Sequence, residues 1–107
     1  MAVTFKNWFA WYNVMPPGPA ALHIKCEMDV GNPSDSASLV FDSIEKANPP
    51  ILVLAVIPKT IFIPRSGPIV DLHFSQVVNP GAYGAVKIVF DGKVVHEIDD
   101  SDIGMAH

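Results

Sequence analysis

The fold class is decided by the stretch Ala-Leu-His-Ile-Lys-Cys-Glu-Met-Asp-Val at residues 21–30. From Leu22 to Val30, apolar side chains occupy every second position, and polar or charged side chains occupy the positions between them. Successive side chains of a strand point to opposite faces, so this alternation predicts a β-strand with one buried and one solvated face. Cys26 lies on the apolar side, which predicts a buried and unreactive thiol.

The flanking sequence continues the β pattern. Ten prolines and seven glycines divide the chain into short segments, as is typical of an all-β domain. Residues 69–78 alternate in the same way, with His73 on the polar side. Residues 51–57 are apolar at every position and lie between prolines, which predicts a strand covered on both faces. Residues 37–47 fit a helical stripe or a short strand over 38–42 followed by a loop, and we favour the strand because strands surround it.

The most distinct local motif is a hairpin, in which residues 86–90 and 93–98 flank Asp91-Gly92. A two-residue turn would place Lys93 and Glu97 on the apolar face. A three-residue loop with Gly92 in a left-handed bulge keeps both charges outside, and burying charge costs more than forming a bulge. We therefore predict the bulged register, with Val94 inward and His96 on the inner face or its rim.

These segments add up to seven or eight strands, with no clear helix. They predict one all-β domain over residues 1–107, an antiparallel β-sandwich that is either immunoglobulin-like or a flattened barrel. Residues 102–107 are expected to form a frayed tail.

Half of the aromatic residues fall within residues 5–12, and they are Phe5, Trp8, Phe9, Trp11 and Tyr12. A regular strand would place Phe5, Phe9 and Trp11 on one face and Trp8 and Tyr12 on the other. We therefore expect both faces of this strand to be covered.

Three explanations of the aromatic strand are open. The favoured one is a protein interface built from Trp8, Phe9, Trp11, Tyr12 and Met15, since Trp and Tyr bury large areas at low entropic cost. The others are a core that holds all five rings, or a platform on which sugar rings stack against Trp8 or Tyr12.

Composition restricts the class of partner. Charged residues make up 17% of the chain, against roughly 25% in an average soluble domain, which indicates a surface that meets a partner. A net charge of -4 argues against binding to nucleic acid or to anionic membranes. A single cysteine, no recognisable signal peptide and no apolar run of the ~18 residues that a membrane helix needs predict a cytoplasmic protein.

The sequence gives little support for catalysis. His23, His73 and His96 fall on three strands, but without a His-x-His pair we expect solvated or rim histidines and no metal site. Asp99, Asp100 and Asp102 only loosely resemble a calcium loop and are expected to be solvated. The serines have no Gly-x-Ser-x-Gly context, so no catalytic residue and no cofactor is predicted.

These observations predict a small non-enzymatic binding or interaction module. It is expected to self-associate as a dimer through a face that contains the aromatic strand and the strand at residues 51–57. The alternative is a small-molecule binding protein, for a carbohydrate or an apolar ligand, or a metal-dependent enzyme, with its site between the sheets.

Overall fold

The computed structural model describes residues 3–64 and 66–106, and over these residues it confirms the all-β sandwich with eight strands. The strands are β1 (Thr4–Asn13), β2 (Ala21–Asp29), β3 (Asp35–Glu45), β4 (Ile51–Thr60), β5 (Ile69–Val77), β6 (Ala85–Phe90), β7 (Lys93–Asp99) and β8 (Gly104–Ala106). A single 3-10 turn, Asp100–Asp102, connects β7 to β8.

The strands form two sheets of four. Sheet A has the order β5-β2-β1-β8, and sheet B has the order β3-β4-β6-β7. Neighbours are antiparallel except for β1–β8 and β4–β6, which are parallel, so the sheets are mixed and not purely antiparallel as predicted. The aromatic strand β1 and the apolar strand β4 therefore lie in different sheets. They cannot share one outer face, so the predicted dimer face that contains both strands is wrong.

Strand β2 supplies the middle of the core, as its alternation predicts. The apolar side chains on its core side are at most 2% exposed, from Leu22 near one end to Val30 just beyond the other. They pack with Leu52 and Leu54 of β4 and with Ile88 of β6 across the sandwich. The Cys26 thiol is buried among them.

A β-bulge at Asn7 changes which aromatic residues of β1 face the core. Lys6 pairs with Glu27 but Phe9 pairs with Lys25, so two residues of β1 stand opposite one residue of β2. Asn7 has a φ of 56°, in the left-handed region that Asn tolerates better than most residues.

The bulge switches the alternation of β1. Phe5, Trp8 and Tyr12 all lie on the core side, whereas Phe9 and Trp11 lie on the outer face of sheet A. The predicted grouping of Phe5 with Phe9 and Trp11 is therefore wrong, because it assumed a regular strand.

The β6–β7 hairpin has a different turn from the predicted one. Phe90 pairs with Lys93 across a two-residue turn, with a positive φ at both Asp91 and Gly92. The bulge lies further along, at Val95, between the pairs Val89–Val94 and Ile88–His96.

The displaced bulge has two consequences for the side chains. Val94 lies on the outer face and is 54% exposed, so its predicted inward position is wrong. Beyond the bulge the prediction is confirmed, because Lys87 pairs with Glu97 on the outer side and His96 lies on the inner side opposite Ile88.

Residues 35–45 form one long strand, so the helical alternative for 37–47 is wrong and the strand extends beyond the predicted 38–42. In β4 the outer side is covered at one end only: Val53 is buried, but Ile57 is 49% exposed. Lys87 Nζ lies 3.2 Å from both carboxylate oxygens of Glu45, and this ion pair spans β4 beside Val53.

The chain end is more ordered than predicted. Residues 104–106, which fall in the predicted frayed tail, form β8 and pair in parallel with Trp11–Asn13 of β1. The expectation for His107 lies outside the described residues.

The bulge makes a prediction about stability. Asn7→Val should lower the free energy of unfolding by about 1–3 kcal/mol, because a β-branched residue is strained at positive φ. Asn7→Gly should cost less, because Gly adopts this conformation freely. Urea unfolding monitored by tryptophan fluorescence measures both. Equal stability of the two variants would contradict a left-handed residue at this position.

Candidate functional site

The structure separates the five residues predicted to form an interface. Tyr12 is 2% exposed and belongs to the core, and Trp8 is half-buried at the core margin. Phe9 is 62% exposed on the outer face of sheet A, with half-buried Trp11 beside it on the same side. Met15 is exposed in the loop after β1. These side chains do not form one continuous surface.

The inward aromatic residues instead line a cleft at the open margin of the sandwich. It lies between the start of β1 and the β6–β7 hairpin, has a volume of about 600 Å³, and is lined by Phe5, Trp8, Phe90, Val95 and His96 among others. We call it the margin cleft. It opens between the two sheets, where the sequence interpretation placed a possible ligand site.

Aromatic rings in contact with one another line the margin cleft. The Trp8 indole and the His96 imidazole are nearly parallel, with centroids 4.3 Å apart and planes inclined by 9°. Phe5 contacts Trp8 and Phe90, with centroids 5.9 Å and 5.8 Å away. Burial lowers the pKa of His96, so the ring stacked on Trp8 is neutral at pH 7.

A second aromatic group lies on the outer face of sheet A. Trp11 and His23 are near-parallel with centroids 5.0 Å apart, and His23 is followed by His73, at 5.2 Å. His23 Nδ1 lies 3.0 Å from His73 Nε2. Because His23 pairs with Ser75 and His73 pairs with Lys25, the two histidines are diagonal neighbours on β2 and β5.

The His23–His73 contact holds one proton between two nitrogens, since one ring must donate and the other accept. Partial burial lowers the pKa of His23, and the charge of a protonated His73 lowers it further. The outward position of both residues was predicted, but their contact was not, because it depends on the register of β2 with β5. His96 lies elsewhere, at the margin cleft, so the three imidazoles do not converge.

The outer face of sheet B carries an unexpected apolar row. Val40, Ala55, Val89 and Val94 are successive cross-strand neighbours from β3, β4, β6 and β7. Val40 and Val94 are exposed, as is Ile57, which lies on the same side of β4. We call these five residues the sheet B row. The apolar run 51–57 predicts only the part of this row that β4 contributes, because the remaining residues come from separate segments of the sequence.

The environments of three other ionisable side chains are explained by burial and local hydrogen bonds. Burial raises the pKa of the Cys26 thiol to about 12, which leaves it a poor nucleophile. Burial and the charge of Asp100 raise the pKa of Tyr12, and the nearby Gly81 backbone acts in the opposite direction. The Tyr12 hydroxyl is buried and makes no hydrogen bond of good geometry within the described residues. Asp99 accepts hydrogen bonds from Ser101, which lower its pKa.

Within residues 3–64 and 66–106, no three His, Cys, Asp or Glu side chains come together in an arrangement that could hold a metal ion. No helix in these ranges has the length and apolarity needed to cross a membrane. Comparison of the chain with protein-family models, curated proteins and solved structures finds no match in any of the three.

The histidine environments predict a pH dependence of stability. Folding lowers the pKa values of His23 and His96 below the ordinary histidine pKa of about 6.5. Near that pH the unfolded chain therefore binds more protons than the folded chain. The free energy of unfolding should fall as pH decreases from 7.5 to 5.5. Urea unfolding at several pH values should show a smaller fall in the His23→Gln/His96→Gln double variant. A slope equal to that of the wild type would contradict these environments.

Proposed function

We propose that this domain is a non-enzymatic interaction module that self-associates as a dimer through the outer face of sheet B. The observation that carries the proposal is the sheet B row, a set of uncharged apolar side chains that crosses all four strands. The dimer and its protein-binding role are proposed from this surface. The cytoplasmic location remains a prediction from the single cysteine.

The outer face of a β-sandwich normally carries polar side chains, because it is in contact with water and only the inner face is buried. Here Val40, Ile57 and Val94 remain in contact with water, with exposures of 38%, 49% and 54%. Covering apolar surface contributes roughly 25 cal/mol per Å². An adjoining surface that excludes water from this row would therefore be stabilised.

A second copy of the chain suits the row because a two-fold interface places the same patch on both subunits. The row contains no charge, so it meets itself without like-charge repulsion. The neighbouring Lys87 and Glu45 are already paired with each other at 3.2 Å. The Cα atoms extend 38 × 31 × 19 Å, and the broad face has room for the roughly 800 Å² that a stable interface buries on each partner.

The dimer is tested by the mass in solution. Light scattering coupled to gel filtration at micromolar concentration should give twice the chain mass of 11.6 kDa. Val94→Lys should shift the protein to the monomer mass, because it places an unpaired charge within the apolar contact. Circular dichroism and thermal unfolding confirm that the variant remains folded.

The matched control is Phe9→Lys, which adds the same charge at an exposed apolar position on the outer face of sheet A. It should leave the dimer intact. A monomeric wild-type protein, or a dimer that Phe9→Lys dissociates and Val94→Lys does not, would contradict the proposal.

The margin cleft favours a second function, the binding of a small molecule. Its stacked Trp8 and His96 rings, with Phe5 and Phe90 beside them, offer aromatic surfaces to a flat ring such as an aromatic group or a sugar. Asp91 and Lys93 also line the cleft and supply polar groups that could orient a ligand.

Tryptophan fluorescence tests the cleft directly. In a Trp11→Phe variant Trp8 is the only tryptophan, so its emission reports on the cleft. Titration with benzamide or methyl glucoside should change the emission in a saturable way for at least one of the two. Adding Val95→Tyr, which fills the cleft, should abolish the change. If neither compound gives a saturable change, the cleft does not bind ligands of these two classes.

A further inference from the structure

We propose that His23 and His73 form a binding site for a divalent first-row transition metal ion, Zn²⁺, Cu²⁺ or Ni²⁺, on the outer face of sheet A. Neutral imidazole is a preferred ligand of these ions. The site lies on the sheet opposite the sheet B row and does not depend on the proposed dimer.

The distance between the two nitrogens fits a shared metal ion. His23 Nδ1 and His73 Nε2 lie 3.0 Å apart. With bonds of about 2.0–2.1 Å, two nitrogens on one metal are separated by about 2.9 Å at a square-planar angle and about 3.3 Å at a tetrahedral angle. The metal ion would take the place of the shared proton. Because two nitrogens 3.0 Å apart leave no room for a metal ion on the line between them, the exposed His73 ring would move aside so that its lone pair also points at the ion.

The backbone holds the two ligands in place. Strands β2 and β5 pair continuously from Ala21–Val77 to Asp29–Ile69, without a register shift. The Trp11 ring packs on His23 and restricts its rotation. His73 is exposed, so its ring can adjust to the metal. Ligands on two rigid strands lose less entropy on binding than ligands on a loop.

The charges around the two histidines are mixed, so the proposal depends on the ligand geometry. Lys25 pairs with His73 and opposes metal binding, whereas Glu27 and Asp71 face each other in the next cross-strand row. Lys6 lies in the same row as the two carboxylates, so two ammonium groups and two carboxylates surround the site and their charges balance. With only two protein ligands, the remaining coordination positions are open to water or to an external ligand.

Calorimetric titration of the full chain with ZnCl₂ at pH 7.5 tests the site. The wild type should bind one Zn²⁺ per chain, and the ring resonances of His23 and His73 should move in NMR spectra. His23→Gln and His73→Gln should each weaken binding at least ~10-fold, the loss typical even of an outer-shell partner of a metal ligand. His96→Gln, which removes the imidazole at the margin cleft, is the matched control and should retain the affinity for Zn²⁺.

Lowering the pH to 5.5 should weaken binding, because protons compete for both nitrogens. The proposal is overturned if the His23→Gln/His73→Gln double variant binds Zn²⁺ as tightly as the wild type. It is also overturned if the wild type takes up none of Zn²⁺, Cu²⁺ and Ni²⁺. Since mass is measured separately, failure of the metal site and failure of the dimer are distinguishable.

Discussion

The β-bulge at Asn7 is the constraint on which the arrangement of the aromatic residues depends. By adding one residue to β1, it places Phe5, Trp8 and Tyr12 on the core side of the same strand. Without it, Phe5 and Trp8 would face opposite sides of sheet A. Trp8 could then reach His96 only if Phe5 left its contact with Phe90, and the margin cleft would lose part of its lining.

The same bulge determines which aromatic side chains of β1 lie on the outer face of sheet A. Phe9 and Trp11 are left on the outer face of sheet A, where Trp11 packs against His23 and thereby supports the His23–His73 pair. That face is mixed in character, with Lys6, Glu27 and Asp71 in one cross-strand row. The outer face of sheet B is different, because its central row is free of charge. The two faces are thus suited to different partners, a polar or metal ligand on sheet A and an apolar surface on sheet B.

The sequence predicted the features that depend on local alternation. The alternate apolar side chains from Leu22 to Val30 point into the core, and His23 and His73 point outward, because these two strands are regular. It failed where one extra residue shifts the alternation, at Asn7 and Val95, since a bulge has no clear sequence signal. It also could not reveal the His23–His73 contact or the sheet B row. Both depend on which strands are neighbours and in what register, and these are properties of the whole sandwich.

The most direct test of the bulge is a nuclear Overhauser spectrum of the aromatic protons. A bulged β1 predicts cross-peaks between the rings of Phe5 and Trp8, whose centroids are 5.9 Å apart, and between Trp8 and His96, at 4.3 Å. It also predicts cross-peaks between Trp11 and His23 on the opposite face. Absence of cross-peaks between Phe5 and Trp8 would place the two rings on opposite faces of β1, as in a regular strand, and would contradict this arrangement.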